Sequence, residues 1–320
     1  MRHTTAEGYS YESVSVVDGR PPFPEMLLAR SQLLLNATLS LFPSGSQKAG
    51  LAFRVAEKYP IHGVRAEAAA DAIGVSPVDL LVANLCYDIL LGTTAMGCST
   101  LALAGPDGPT LARNMDWFPA EKIAKASCLV REDFGVNAGF IGLLGAVTGL
   151  SKRGFGISVN AVFGNPDPDG YPMLLFLRHV LDSATDFNDA LTIVEREPLM
   201  SSGIITLVGT ANDERAIVER TPREAFVRRA KGQEPLIATN HFLKLARPEA
   251  CSRYEFLNAQ KEIRSPLEVL TSRTVLQEIT AQHIVIHPSK QSIEMFVPSH
   301  LLPEGVREDV SAADLRRFLG

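Results

Sequence analysis

GCSTLALAGPDGPTLARNMDW, residues 97–117, contains two short β-rich runs, Cys98–Ala104 and Pro109–Met115, separated by Gly105-Pro106-Asp107-Gly108. Glycine, proline and aspartate in that order form a turn, so the runs are expected to pair as a hairpin. The end of the second strand then returns toward the start of the first, bringing Arg113 and Asp116 near Cys98. A thiol, a permanent cation and a carboxylate would share one site. Each also has a plainer reading: a cysteine in an apolar strand is usually a small buried hydrophobe, and an arginine three residues before an aspartate is usually a surface ion pair.

Upstream of the hairpin the chain reads as helical to about Leu91. Ser76-Pro77-Val78-Asp79 is a helix start, with a hydroxyl at the cap, proline in the first turn and a carboxylate at the positive end of the dipole. Gly74 suits the end of the preceding helix. Residues 80–91, LLVANLCYDILL, are apolar on nearly every face, as in a buried helix. Downstream, strand-like runs occur at ASCLVRE, AGFIGLL and FGISVNAVF, helices at about Tyr171–Ser183 and Phe187–Glu197, and strands again at GIITLVG, RAIVER and PLIAT. A helical region over about Arg253–Ile279 precedes a hairpin of HIVIHP and SIEMFVP. This order predicts an α+β fold of two sheets packed face to face with helices outside, in one domain with a helical N-terminal lobe. No repeat or low-complexity linker interrupts it.

With 320 residues, 46% of them hydrophobic, the chain can bury a large core. Its formal net charge of -5 is spread along the chain, which argues against nucleic acid as a partner and for a small-molecule substrate. The polar start MRHTTAEGYSYESV lacks the order of a secretory signal, and Met26–Phe42 is too short and polar to span a bilayer, so a cytoplasmic location is expected. Cys86, Cys98, Cys128 and Cys251 are too scattered for a disulfide framework or a zinc site. The sequon at Asn36 reads as a chance match in a helix. Motifs for serine hydrolases, nucleotides, zincins and calcium are absent, and no cofactor is implied. His283 and His287 bracket a strand sequence, where four residues span about 13 Å, so they do not suit one metal. His241, beside Asn240, is a second candidate base for Cys98.

The residues around Cys98 also resemble a known group. Cys98-Ser99-Thr100 followed by Arg113-Asn114-Met115-Asp116-Trp117 resembles the nucleophile hairpin of the choloylglycine hydrolase and acid ceramidase superfamily, which includes N-acylethanolamine acid amidases and the related acyl-coenzyme A:6-aminopenicillanate acyltransferases. Asn84, Tyr87 and Asp88, then Gly156–Asn160, Ala238–Phe242 and Cys251–Leu257, resemble further segments in family order, over about Ala69–Val297. Ser99 stands where many members have threonine, a mild change.

The resemblance implies a four-layer αββα sandwich of the N-terminal-nucleophile (Ntn) hydrolase type, made as a precursor that cuts itself between Gly97 and Cys98. Residues 1–97 would be a helical lobe that stays associated, and 98–320 the catalytic domain. Cleavage gives Cys98 an α-amine with an unperturbed pKa of about 8, able to take the thiol proton without a histidine. The resemblance assigns Asp116 to hold that amine, Arg113 to the thiolate, Asn160 and Asn240 to the oxyanion, and Arg253 to support the site. Met115, Trp117, Phe118, Phe140, Ile141 and Phe163 are the candidate acyl pocket. The implied reaction is hydrolysis of a non-peptide amide with an apolar acyl group, or acyl transfer to an amine; a non-cleaving binding protein of the same fold is the rival from another class. The amide itself and assembly into a homo-oligomer stay open.

Overall fold

The computed structural model describes residues 1–42, 46–91, 96–246, 250–260 and 262–302. The chain starts with strands β1 (Arg2–Thr4), β2 (Ser10–Ser13) and β3 (Val16–Asp18). Helices α1 (Glu25–Leu39), α2 (Ser46–Lys58), α3 (Pro60–Ile73), α4 (Pro77–Ala83) and α5 (Cys86–Leu90) follow. Then come β4 (Met96–Leu103), β5 (Thr110–Trp117), α6 (Ala120–Ala126), β6 (Cys128–Glu132), β7 (Gly135–Gly139), β8 (Thr148–Ser151) and β9 (Phe155–Ala161). Helices α7 (Met173–Ser183) and α8 (Phe187–Arg196) lead to β10 (Gly203–Val208), β11 (Arg215–Arg220), β12 (Ala225–Arg229) and β13 (Leu236–Ala238). The described chain closes with α9 (Ser252–Asn258), α10 (Pro266–Leu270), β14 (Thr280–His287) and β15 (Ser292–Pro298).

Among the described residues the strands form two sheets, in the orders β1-β2-β15-β14-β5-β4-β13 and β12-β11-β10-β9-β8-β7-β6-β3. All pairings are antiparallel except β3 with β6. α7 and α8 cover the second sheet, while α9 and α10 pack on the first. The layers are therefore the expected αββα. No helix among the described residues is long and apolar enough to cross a membrane.

The expected local signals are present. Ser76 Oγ accepts from Asp79 N at 3.0 Å with Pro77 in the first turn, and Gly74 ends α3 at φ 75°. The β4–β5 turn uses Gly108 at φ 98°, where a Cβ would meet Thr210 O at 2.6 Å. Every residue of β5 is buried, which fixes it as an interior strand and its register with it.

Three expectations need correction. The first 18 residues are extended rather than helical, because they add to sheet edges: β2 pairs with β15 and β3 with β6. Their polar sequence hides this, since aromatic rings make the contact instead, with His3 and Tyr11 both edge-on to the Phe296 ring at 5.2 Å. Residues 253–279 are two short helices, since Pro266 cannot continue a helix and restarts one. AGFIGLL is a strand only to Gly139; the rest is a turn clipped by Asn84, whose Oδ1 accepts from Leu144 N at 2.8 Å and Gly145 N at 3.1 Å.

Asp88 shows how the segment before Cys98 is locked in. Its carboxylate accepts from Met173 N at 3.1 Å through both oxygens, capping the start of α7, and burial raises its pKa to about 7. A group protonated in the folded state and ionised in the unfolded one stabilises the fold most at low pH. Stability should therefore fall by up to about 1.4 kcal/mol per pH unit, from this group alone, as pH rises from about 4 to 7. Urea titrations across that range should show a flatter profile for Asp88→Asn.

Candidate active site

Strand alternation and register build the site around Cys98. The β4–β5 pairs are Gly97↔Asp116, Cys98↔Met115 and Thr100↔Arg113. Cys98, Thr100, Arg113 and Met115 thus share the face between the sheets, and Asp116 lies on the opposite face beside Gly97. Cys98 is fully buried.

Arg113 NH2 donates to Cys98 Sγ at 2.7 Å, and its NH1 is held by Thr148 Oγ1 at 2.9 Å and Val147 O at 3.2 Å. The Cys98 nitrogen faces elsewhere, donating to Asn240 Oδ1 at 2.8 Å. Arg253 binds the same corner: its NH1 reaches Cys98 O at 2.7 Å and Ser99 Oγ at 3.0 Å, and its NH2 reaches Asn240 Oδ1 at 3.0 Å.

Asp116 accepts from Thr280 Oγ1 at 2.7 Å through Oδ1. Its Oδ2 is buried without a hydrogen-bond partner and lies 3.6 Å from Arg253 NH1. Burial raises the pKa of this carboxyl, opposed by Thr280, Arg253 and Arg113. A Cβ on Gly97 would sit 3.3 Å from Asp116 Cβ and 3.5 Å from Oδ2, so the carboxylate lies alongside Gly97.

Cys98, Arg113, Asp116, Asn240 and Arg253 therefore come together. Asn160 sits nearby, but both of its expected donor contacts go elsewhere: Nδ2 donates to Ala238 O at 3.2 Å and Thr239 O at 3.0 Å, while Oδ1 accepts from Thr100 Oγ1 at 2.7 Å. It clamps β13 to β9 and aims no donor at Cys98. Asn240 meets Cys98 through its oxygen, and its Nδ2 donates to Ala161 O at 2.8 Å. His241 Nδ1 is bonded to Thr239 Oγ1 at 3.0 Å, and its ring stands edge-on to Tyr254 at 5.3 Å. His283 has both ring nitrogens engaged, by Asn114 Oδ1 at 2.7 Å and Tyr9 OH at 2.8 Å. Thr148 and Thr280, which hold Arg113 and Asp116, went unread in the sequence, where a threonine in a strand looks like a simple β-former.

The six candidate pocket residues divide. Met115, Trp117, Phe118 and Phe140 line one apolar cavity, with Met96 and Val147. Two of its lining residues neighbour the thiol: Met115 pairs with Cys98 across the hairpin, and the Val147 carbonyl accepts from Arg113, which also donates to Cys98 Sγ. Ile141 lines a separate charged cleft with Arg65 and Asp182, since the turn after β7 points it away. Phe163, 75% exposed, borders an open cleft that reaches Asn240.

A model of the acyl-coenzyme A:6-aminopenicillanic acid acyl-transferase family matches residues 103–296, beginning just past Cys98. Among solved structures, a Caenorhabditis elegans N-acylethanolamine-hydrolyzing acid amidase ortholog aligns with a TM-score of 0.52 and 20% identity, covering 60% of this chain and 93% of its own. At that identity the likeness bears on the fold, which is the Ntn-hydrolase fold. No curated protein sequence matches the chain.

Arg253→Ala would strip the donors from Cys98 O, Ser99 Oγ and Asn240 Oδ1 and leave the Asp116 carboxylate buried with its nearest cation removed. A loss of roughly 3 kcal/mol in unfolding free energy is expected by urea titration, with partial recovery in Arg253→Lys.

Proposed function

Since the chain belongs to the acyl-coenzyme A:6-aminopenicillanic acid acyl-transferase family, whose members here imply an Ntn-type enzyme, amidase or acyltransferase, we propose that it hydrolyses linear amides through an acyl-cysteine on Cys98. One observation carries this reading: the Cys98 sulfur and nitrogen have separate polar partners, Arg113 on the first and Asn240 on the second, with an unpartnered Asp116 oxygen beside the junction before it.

In the first step the Cys98 sulfur attacks the Gly97 carbonyl, the amide link shifts to a thioester, and water releases a Gly97 carboxylate and a Cys98 α-amine. Residues 1–97 and 98–320 would then be two fragments of one fold, 303–320 lying outside the described residues. The strands before Cys98 support continued association, because β2 pairs into one sheet and β3 into the other.

The new amine takes the thiol proton, and Arg113 favours the resulting thiolate. Asp116 Oδ2 and Asn240 Oδ1 accept from the amine and fix its direction. The thiolate adds to the substrate carbonyl, the C–N bond breaks, and the amine proton passes to the leaving nitrogen. Water then cleaves the thioester. The second Nδ2 hydrogen of Asn240 is a side-chain donor for the oxyanion, and Arg253 holds Asn240 in place. The cavity lined by Met115, Trp117, Phe118 and Phe140 suits an apolar acyl group. Transfer of the acyl group to an amine instead of water is the second reading, favoured by the family's description.

Purified protein should yield two fragments by intact mass, the second starting at Cys98, and Cys98→Ala should stay whole; full amide turnover by an uncleaved chain would overturn the mechanism. In cleaved, folded protein, Asp116→Asn should abolish most turnover without unfolding, and Asn240→Ala should lower kcat about a hundredfold. Unchanged turnover in either would remove that residue from the chemistry.

A further inference from the structure

Besides the apolar cavity, a second space approaches Cys98, with Asn240 between them. It is the open cleft bordered by Phe163, Asn165, Ser202, Glu224, Asn240 and Phe242. One contact ties it to Cys98: Asn240 Oδ1, on the cleft wall, accepts from the Cys98 nitrogen at 2.8 Å. From the reaction proposed above, on which this inference rests, the leaving nitrogen must collect a proton from the Cys98 amine. It therefore has to lie on the Asn240 side of the thioester carbon, and the amine half of the substrate extends into this cleft.

The lining decides what kind of amine fits. Among the described residues that border the cleft the ionisable side chains are a carboxylate, Glu224, and a histidine, His241, whose Nδ1 is bonded to Thr239 Oγ1; there is no lysine or arginine. The nearest cation in sequence, Arg223, is 72% exposed and paired with Asp167 at 2.6 Å. An anionic group placed here would lose water and meet a like charge, whereas a neutral or cationic one would not. Phe163, three-quarters exposed at the rim, offers an apolar face to whatever enters. We propose that the cleft is the amine subsite and that it selects amides of uncharged or cationic amines over amides of carboxylate-bearing ones.

The experiment uses the cleaved, full-length protein and three amides sharing one decanoyl chain, made with ethylenediamine, ethanolamine and glycine. These amines are close in size and differ in charge. The kcat/KM order should be cationic, then neutral, then anionic, with about a tenfold or larger gap between ethanolamine and glycine amides. Glu224→Gln should narrow that gap and Glu224→Lys should close or invert it; both changes are at an exposed position, so the fold tolerates them. Vinyl decanoate, which has no amine half, tests the underlying reaction separately by adding one acyl mass to the fragment that starts at Cys98. If the wild-type protein is not acylated, the functional reading fails and the subsite with it. If it is acylated but the glycine amide is cleaved as fast as the ethanolamide, or the Glu224 series leaves the ratio unmoved, the subsite assignment alone is wrong.

Discussion

The β4–β5 register is the constraint on which the site depends. Because side chains alternate along a strand, the pairs Thr100↔Arg113 and Gly97↔Asp116 send the guanidinium to the thiol side and the carboxylate to the other. A slip of one residue would exchange them, leaving the thiol beside an acid and the junction beside a cation. Much of the surrounding structure resists that slip. The turn is held by Asn212, which donates to Gly105 O at 2.8 Å and accepts from Gly105 N at 3.0 Å, and by the Lys290–Asp107 pair at 2.7 Å. Farther along, Asn114 is fastened to Leu270 O at 2.8 Å and to His283, and Asp116 to Thr280. Burial has pushed the His283 pKa down to about 3, so this fastening stays neutral over the physiological range.

The segment before Cys98 is part of the same construction rather than an appendage. Asn84 clips the turn after β7, Tyr87 reaches Ser202, and Asp88 caps α7. α1 packs on α6 and α4, and Leu34 and Leu90 form part of the apolar cavity wall. A cut at Gly97–Cys98 would thus divide the chain between two pieces that share both sheets and the cavity. Shared sheets and a shared apolar cavity are what would hold such pieces together.

The hairpin, its turn and the meeting of Cys98, Arg113 and Asp116 were legible because strand alternation and turn chemistry are local. The αββα layering was legible from the order of strand and helix runs. What stayed hidden depends on distant partners. β1 and β2 look like a polar tail, and only the Phe296 face explains their extended form. Asn160 and Asn240 stand in similar contexts, yet the direction of each amide is set by the β13 backbone and by Arg253, which no local pattern records. Phe140 and Ile141 are adjacent in sequence, but Ile141 borders only the charged cleft whereas Phe140 also lines the apolar cavity.

The contacts of Cys98 bear on why a cut would matter to its chemistry. Within an intact strand its nitrogen is a peptide N–H: it donates to Asn240 and has no lone pair to receive a proton. The sulfur's hydrogen-bond partner is Arg113, and a guanidinium is only a donor. Such a contact stabilises a thiolate but does not itself take the proton away. His241 has its Nδ1 engaged with Thr239 Oγ1. Converting the Cys98 nitrogen to an amine adds an acceptor at the atom already positioned by Asn240, with Asp116 Oδ2 available to orient it. In the mechanism proposed above, the broken peptide bond therefore supplies the base, as an amine beside Asn240 Oδ1 and Asp116 Oδ2.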